Sequence, residues 1–286
     1  MILFPNCKIN LGLRVLEKRT DGYHNLESIM VPVSWCDILE ITPAPQGSEG
    51  SFRLLGSDLG GCPPEKNLVI KAIRALENHL GTKLPPLDIS LMKIIPDGAG
   101  LGGGSSDASF TLKGVNELLG LGLDNDTLVA IAAKVGADCP FFIYNRPMLI
   151  QGIGDILSPF DIPALEGKAI AIAKPQAESV STKDAYAGIT PAPLAPGTTL
   201  LSEINRLRHT EWQSSDVLVN DFEPCISALR PAVDRYISIM KSKGAFYVAM
   251  SGSGSSVFGL FDDVRMAEEA VEAFSGASSF AGVLSF

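Results

Sequence analysis

Pro96-Asp-Gly-Ala-Gly-Leu-Gly-Gly-Gly-Ser-Ser106 sets Gly98, Gly100, Gly102, Gly103, Gly104, Ser105 and Ser106 within nine positions, and this stretch decides how the rest of the chain is read. On its N-terminal side Leu87–Ile95 alternates imperfectly and predicts a strand; on its C-terminal side 105–119 has helical spacing and ends at Gly120 and Gly122. A strand–glycine loop–helix unit is either a glycine-rich turn without a ligand or a phosphate cradle, and five glycines with two serines in nine positions favour the cradle. Glycines lack the Cβ that would keep backbone N–H groups from closing around an anion, and the helix N-terminus adds partial positive charge. The two hydroxyls can serve a phosphate oxygen or its cation. No Gly-Lys-Ser/Thr follows, so this is not a Walker A loop. Gly98, Gly100 and Gly103 also spell GxGxxG, and Glu117 lies about 20 residues on, where a dinucleotide fingerprint expects an acid. Against that reading, Glu117 falls inside the same predicted helix, and 95 residues precede the loop.

Outward from the loop, Ile2–Val15 and Glu27–Thr42 read as extended, with Pro5, Gly12, Pro32 and Pro43 as interruptions. Glu65–Leu80 is helical, with Leu68, Val69, Ala72, Ile73, Leu76 and Leu80 on one face. Asn125–Val135 predicts a further helix. Met148–Leu157 and Lys168–Ala173 predict strands, and Pro191–Pro196 a loop. Helices are expected over 223–243 and 264–274, with strand–turn–strand over 246–261. Strands and helices do not alternate as a βαβ series, so the fold class is α+β, with two domains over 1–158 and 159–286.

A chain of 286 residues with 46% hydrophobic and 19% charged residues has the composition of a packed protein and not of a disordered one. The formal charge of -9 disfavours a nucleic-acid partner. Cys7, Cys36, Cys62, Cys139 and Cys225 form no CxxC pair, and only His24, His79 and His209 accompany them. A structural zinc site or disulfide framework is therefore not expected. No basic leader or apolar run of about 18 residues occurs, so a cytoplasmic protein without a membrane segment is expected.

Four further stretches carry polar chemistry. Ser251-Gly-Ser-Gly-Ser-Ser256 lies between apolar runs. It reads as a hairpin turn or, with its excess of small residues, as a second phosphate turn. Lys8 and Asn10 share one side of an apolar strand; Lys8 is either snorkelling at an edge or paired and functional. Asp21-Gly-Tyr-His24 is a turn whose Tyr23 and His24 are either plain turn surface or an aromatic pair able to stack on a ring. Asp138, among Gly136, Ala137, Cys139, Pro140, Phe141 and Phe142, is either a turn cap or a carboxylate tuned as a general base.

Taken in order along the chain, Lys8-Ile-Asn10, Asp21-Gly-Tyr-His24, the loop 96–106, Gly136-Ala-Asp138 and the turn 251–256 resemble the GHMP kinases, which include galactokinase, homoserine, mevalonate and phosphomevalonate kinases. Within them the pairing of KIN with DGYH and GADCPFF is most similar to the branch acting on 4-diphosphocytidyl-2-C-methyl-D-erythritol in non-mevalonate isoprenoid synthesis. The resemblance implies a two-domain α+β fold with the active site in the interdomain cleft, ATP as donor with Mg2+, and a small cytidine diphosphate-linked acceptor. It implies that Asp138 takes the acceptor proton and that Lys8 stabilises charge on Asp138 and on the transferring group. Pro96, Gly98, Ala99, Gly100, Leu101, Gly102, Gly103, Gly104, Ser105 and Ser106 would hold the ATP phosphates, with Asn67 and Lys93 near the adenosine. Asn10 would contact the acceptor; Tyr23, His24 and Tyr186 the cytosine; and Gly252, Ser253, Gly254 and Ser255 the acceptor's diphosphate. Tyr186 enters as the aromatic after Ser181-Thr182. Asp107 stands where some relatives carry Asn. The sequence leaves the metal ligand open, with Ser106 as a candidate.

Three other functions compete. A GHMP kinase with a smaller acceptor, such as homoserine, has no use for the Tyr23–His24 pair. A Rossmann-type NAD-dependent oxidoreductase needs a ribose-binding acid on a second strand, and none is found. A non-catalytic binding module would lack Lys8 or Asp138, and both are present.

Overall fold

Helical period and strand alternation place most of the secondary structure. The computed structural model describes residues 1–45, 52–55, 66–176, 185–186, 188–189, 199–202 and 218–286. The stretch 191–196, expected as a loop, lies outside these, as do Ser181 and Thr182. In chain order the first half contains β1 (Ile2–Leu3), β2 (Asn6–Lys18), β3 (His24–Cys36), β4 (Ile38–Pro43), β5 (Phe52–Leu55), α1 (Leu68–Leu80), β6 (Leu87–Met92), α2 (Gly103–Leu118), α3 (Asn125–Ala132) and α4 (Cys139–Tyr144). There follow β7 (Met148–Gln151), β8 (Ile156–Pro159), β9 (Ala169–Lys174), α5 (Glu223–Leu229), α6 (Pro231–Ser242), β10 (Tyr247–Met250), β11 (Val257–Phe261), α7 (Val264–Glu272) and β12 (Ser278–Val283). The strands form three sheets with orders β1-β4-β6-β5, β2-β3-β7-β8 and β10-β11-β9-β12. Apart from the parallel pair β5–β6, the registered pairs are antiparallel, as the α+β class requires.

The chain divides into two compact units that do not follow sequence halves. The first comprises Met1–Cys7, Trp35–Asp97 and Gly102–Asn145; the second comprises Lys8–Ser34, Gly98–Leu101 and Arg146–Phe286. In the first unit, α1 presents Val69, Ile70, Ala72, Ile73 and Leu76 as a buried stripe. Burying each large aliphatic side chain is worth about 2 kcal/mol, which outweighs the few tenths lost by placing β-branched residues in a helix. Val69, Ala72, Ile73 and Leu76 of that stripe join Leu39 and Ile41 of β4, Ile89 and Leu91 of β6, and Ala108, Leu112 and Val115 of α2 in one core. The strand register explains the shared face, since Ile41 is opposite Ile89 and Leu39 opposite Leu91. Asn67 starts α1 by accepting the Val69 N–H at 2.9 Å, and Gly81, at φ 68°, ends it.

In the second unit, β9 alternates Ala and Ile and is buried on both faces. Its Ala169, Ala171 and Ala173 face a core with Val233, Tyr236, Ile237 and Met240 of α6 and Ala267 and Ala270 of α7. Several expectations change here. The helix foreseen over 223–243 is two helices, because Pro231 forces Arg230 to an extended φ of -136°. Met148–Leu157 is no single strand but the start of a hairpin, turned at Gly152 and Gly154 with φ of 69° and 103°. Strands β2 and β3 run through Gly12 and Pro32 uninterrupted. The last strand, β12, was not foreseen; it pairs with β9.

Candidate active site

The first unit holds the exit of strand β6 and the start of helix α2, the two ends of the glycine loop. Asp37 is fully buried; one carboxylate oxygen accepts the N–H groups of Ile94 and of Ile95, the latter at 2.8 Å, and the other accepts from Lys93 Nζ. Lys93 Nζ also donates to Asp107 Oδ2 at 2.7 Å, in the second turn of α2. One cation therefore sits between two buried carboxylates and ties the strand that enters the loop to the helix that leaves it. Burial and the charge of Asp37 push the Asp107 carboxyl up to about 7 against the opposing pull of Lys93. Burial acts to lower the Lys93 pKa, but the charges of Asp107 and Asp37 outweigh it and the net shift is upward.

Helix α2 opens at Gly103, two residues earlier than its period suggested, and no side chain caps its first turn. Backbone N–H groups at such a terminus face outward and favour an anion. Ser106 is buried, and its hydroxyl has no hydrogen-bond partner. Two other elements lie against this start: a Cβ at Gly104 would stand 3.6 Å from Leu68, beside Asn67, and one at Gly136 would stand 3.9 Å from Ser105 Oγ. The unit thus gathers Asn67, Lys93, Ser105, Ser106 and the turn that carries Asp138. Asp138 is half-buried at the N-terminus of α4, whose Cys139–Ile143 are buried. Ser109 Oγ donates to the carbonyls of Ser105 and Cys139, at 2.9 and 2.7 Å, locking α4 to α2. Burial pushes the Cys139 thiol up to about 11, so it is an inert neighbour of Asp138.

The middle of the loop, Gly98–Leu101, groups with the second unit, where it meets the other glycine turn. Gly100, at φ 74°, has room for no side chain: a Cβ there would stand 2.0 Å from the Ser251 carbonyl oxygen. Ser251 Oγ donates to the Gly100 carbonyl at 3.0 Å, and the Ser256 N–H to that of Ala99 at 3.2 Å. Lys8 is 3% exposed and so does not snorkel; its N–H donates to Leu101, and its Nζ donates to Asn10 Oδ1 at 2.6 Å. Asn10 in turn donates to Ser28 Oγ at 2.8 Å, and Ser28 to the Gly12 carbonyl at 2.7 Å. The Lys8 ammonium also lies 3.3 Å from the Cβ position of Gly252. Lys8, Asn10, Gly98–Leu101 and Gly252–Ser255 are therefore one cluster. Separately, the His24 and Tyr186 rings stack at 5.3 Å and 19°, while Tyr23 is 61% exposed.

Two residues of this architecture were missed by the sequence reading. Asp37 and Asn220 each hold a glycine turn from a distance; their only signal is a polar residue within an apolar context, at Trp35-Cys-Asp37 and Leu218-Val-Asn220. Among the described residues no group of three or more His, Cys, Asp or Glu is placed to hold a metal, and no helix is long and apolar enough to cross a membrane.

Residues 67–146 match the model of the GHMP kinases N terminal domain, and residues 199–278 that of the GHMP kinases C terminal domain. The chain is 48% identical over 262 residues to the 4-diphosphocytidyl-2-C-methyl-D-erythritol kinase of Parabacteroides distasonis, covering 92% of each. Its fold is similar to the crystal structure of a 4-(cytidine 5'-diphospho)-2C-methyl-D-erythritol kinase, with TM-score 0.81, 31% identity and 100% of both chains covered. The Methanococcus jannaschii mevalonate kinase shares the fold at TM-score 0.74 and 15% identity, over 100% of this chain and 98% of that one. The chain belongs to the GHMP kinases, in the family of the 4-diphosphocytidyl-2-C-methyl-D-erythritol kinases.

Proposed function

We propose that this chain transfers the γ-phosphoryl group of ATP to a hydroxyl of 4-diphosphocytidyl-2-C-methyl-D-erythritol. The observation that carries the reading is the 48% identity with a kinase of that name across nine-tenths of both chains. The site residues support it chemically. The uncapped start of α2 with Gly102–Ser106 suits ATP phosphates, and the loop's glycines let backbone N–H groups approach them. Asn67 and Lys93 lie on the adenosine side in this reading. The residues also fit Mg2+, which takes most of its ligands from phosphate and water and needs only one or two protein oxygens. The unpartnered Ser106 hydroxyl would be one. Bound there, the cation would neutralise charge on the transferring phosphates.

In the step itself, the acceptor oxygen forms a bond to the γ-phosphorus, the bond to the β-bridging oxygen breaks, and ADP leaves. Asp138 accepts the hydroxyl proton. Lys8, fixed by Asn10, supplies positive charge to phosphoryl oxygens, and Asn10 contacts the acceptor. Gly252–Ser255 take the acceptor's diphosphate, and Tyr23, His24 and Tyr186 its cytosine. The base stacks on an outer ring face. Entry between His24 and Tyr186 would need them about 7 Å apart, twice a carbon contact distance, and they stand at 5.3 Å.

The test is ADP release from ATP and Mg2+ with this acceptor, homoserine and mevalonate offered in parallel. Release with the cytidine-linked alcohol alone is expected. Equal release with either smaller acceptor would sink the substrate assignment while keeping the kinase. Asp138→Asn should bind ATP normally and lose turnover by about 10²- to 10⁴-fold.

A further inference from the structure

We infer that Asn220 is a positioning residue that sets the second glycine turn and the aromatic pair at a fixed spacing, and so determines affinity for a nucleoside diphosphate-linked acceptor. The inference rests on the acceptor reading above. Asn220 is 2% exposed. Its Nδ2 donates to the carbonyls of Met250 and Gly252, at 2.8 and 2.7 Å, and its Oδ1 accepts the Phe222 N–H at 3.0 Å. Both amide hydrogens and the amide oxygen are thus engaged, which also fixes which way the amide faces. Asp has no donor for the two carbonyls, and Ser has one; of side chains this size only Asn satisfies all three groups.

The carbonyls it holds belong to the strand end and first glycine of the turn 251–256, and Gly252 sits at φ 55°, in the left-handed region that glycine tolerates. The N–H it accepts belongs to Phe222, whose ring meets Tyr186 edge-on at 4.9 Å and 90°. Tyr186 stacks on His24. A continuous series of contacts therefore runs from Gly252 through Asn220, Phe222 and Tyr186 to His24, all within the second unit. In a nucleoside diphosphate the base and the phosphates are joined through one ribose. A protein that grips both must keep its two grips at a matching distance, and Asn220 is the residue common to both.

The experiment compares wild type with Asn220→Asp, which keeps the shape but turns an acceptor toward two carbonyls, and with Phe222→Leu, which keeps the backbone N–H but removes the ring. For each, KM is measured for ATP and for the cytidine-linked acceptor, with cytidine 5'-diphosphate as a competitive probe. In both variants the acceptor KM and the inhibition constant should rise roughly tenfold or more, with ATP KM changed less than about twofold. Unchanged acceptor KM in both variants overturns the inference, as does a parallel rise in the two KM values, which marks a merely structural residue. If wild type neither turns over the acceptor nor is inhibited by cytidine 5'-diphosphate, the function reading fails with it; normal wild-type behaviour with unaffected variants removes the Asn220 role alone.

Discussion

The two glycine turns have similar composition and are braced by opposite means. The loop 96–106 is tied at both ends by buried charge, with Lys93 between Asp37 and Asp107. The turn 251–256 is held by a neutral amide whose three hydrogen-bonding groups are all engaged. Charge binds tightly but makes a brace sensitive to proton concentration, and one cation for two carboxylates leaves it a proton short of neutrality. An amide has no such dependence. The contrast fits the two positions: a helix terminus offers a dipole for charged groups to work against, whereas a hairpin between β10 and β11 offers only peptide groups.

Gly100→Ala should break the comparison altogether, because the turns meet at that residue. With a Cβ 2.0 Å from the Ser251 oxygen and φ at 74°, a loss of roughly 3 kcal/mol or more in denaturant melts is expected, with weaker binding of both substrates. A stable variant with normal kinetics would disprove the contact. Asp37→Asn should cost about 3 kcal/mol, since it removes one partner of a buried ion pair and sets an amide NH2 where an acceptor is needed. Asp107→Asn should be nearly neutral near pH 4, where the folded carboxyl is protonated and an amide resembles it. Its folded pKa of about 7 lies above the 3.8 of an unburied carboxyl, so the native state binds the extra proton between those values. Wild-type stability then carries a component that falls as pH rises from 4 to 7 and is absent from the variant; parallel slopes in pH-dependent melts would refute this. Smallest of all, Ser256→Ala should change stability by under about 0.5 kcal/mol, because its buried hydroxyl has no partner to lose. A large loss in the same melts would reveal one.

Much of the fold was legible because it is local. The period of Leu68–Leu80 and the order strand–glycine loop–helix are written in neighbouring residues. The break at Pro231 was legible too, but the apolar period on either side of it masked the signal. Strand β12, Ser-Ser-Phe-Ala-Gly-Val, has too little alternation to declare itself and forms because β9 offers it an edge. Of the candidate site, the Lys8–Asn10 contact follows from two-residue strand spacing. The meeting of Gly100 with Ser251, 151 positions apart, does not follow from any local pattern. Asp37 and Asn220 escaped for the same reason: each acts on backbone groups far along the chain.

The interleaving of the two units has a consequence for how the molecule is made. The first unit is complete once Asn145 has been synthesised, but Lys8–Ser34 belong to the second, whose remaining residues begin with Arg146 apart from Gly98–Leu101. Leu13 bridges to Asn220, 207 positions later by 220 minus 13. At about 5 to 20 residues per second, that wait lasts roughly 10 to 40 s. During it the Ile9, Leu11, Leu13 and Val15 strand, buried in the finished protein, has left the ribosome before its eventual cover exists. Strand β2 thus waits as exposed apolar chain, and a translation product that stops short of Asn220 leaves it permanently without that partner.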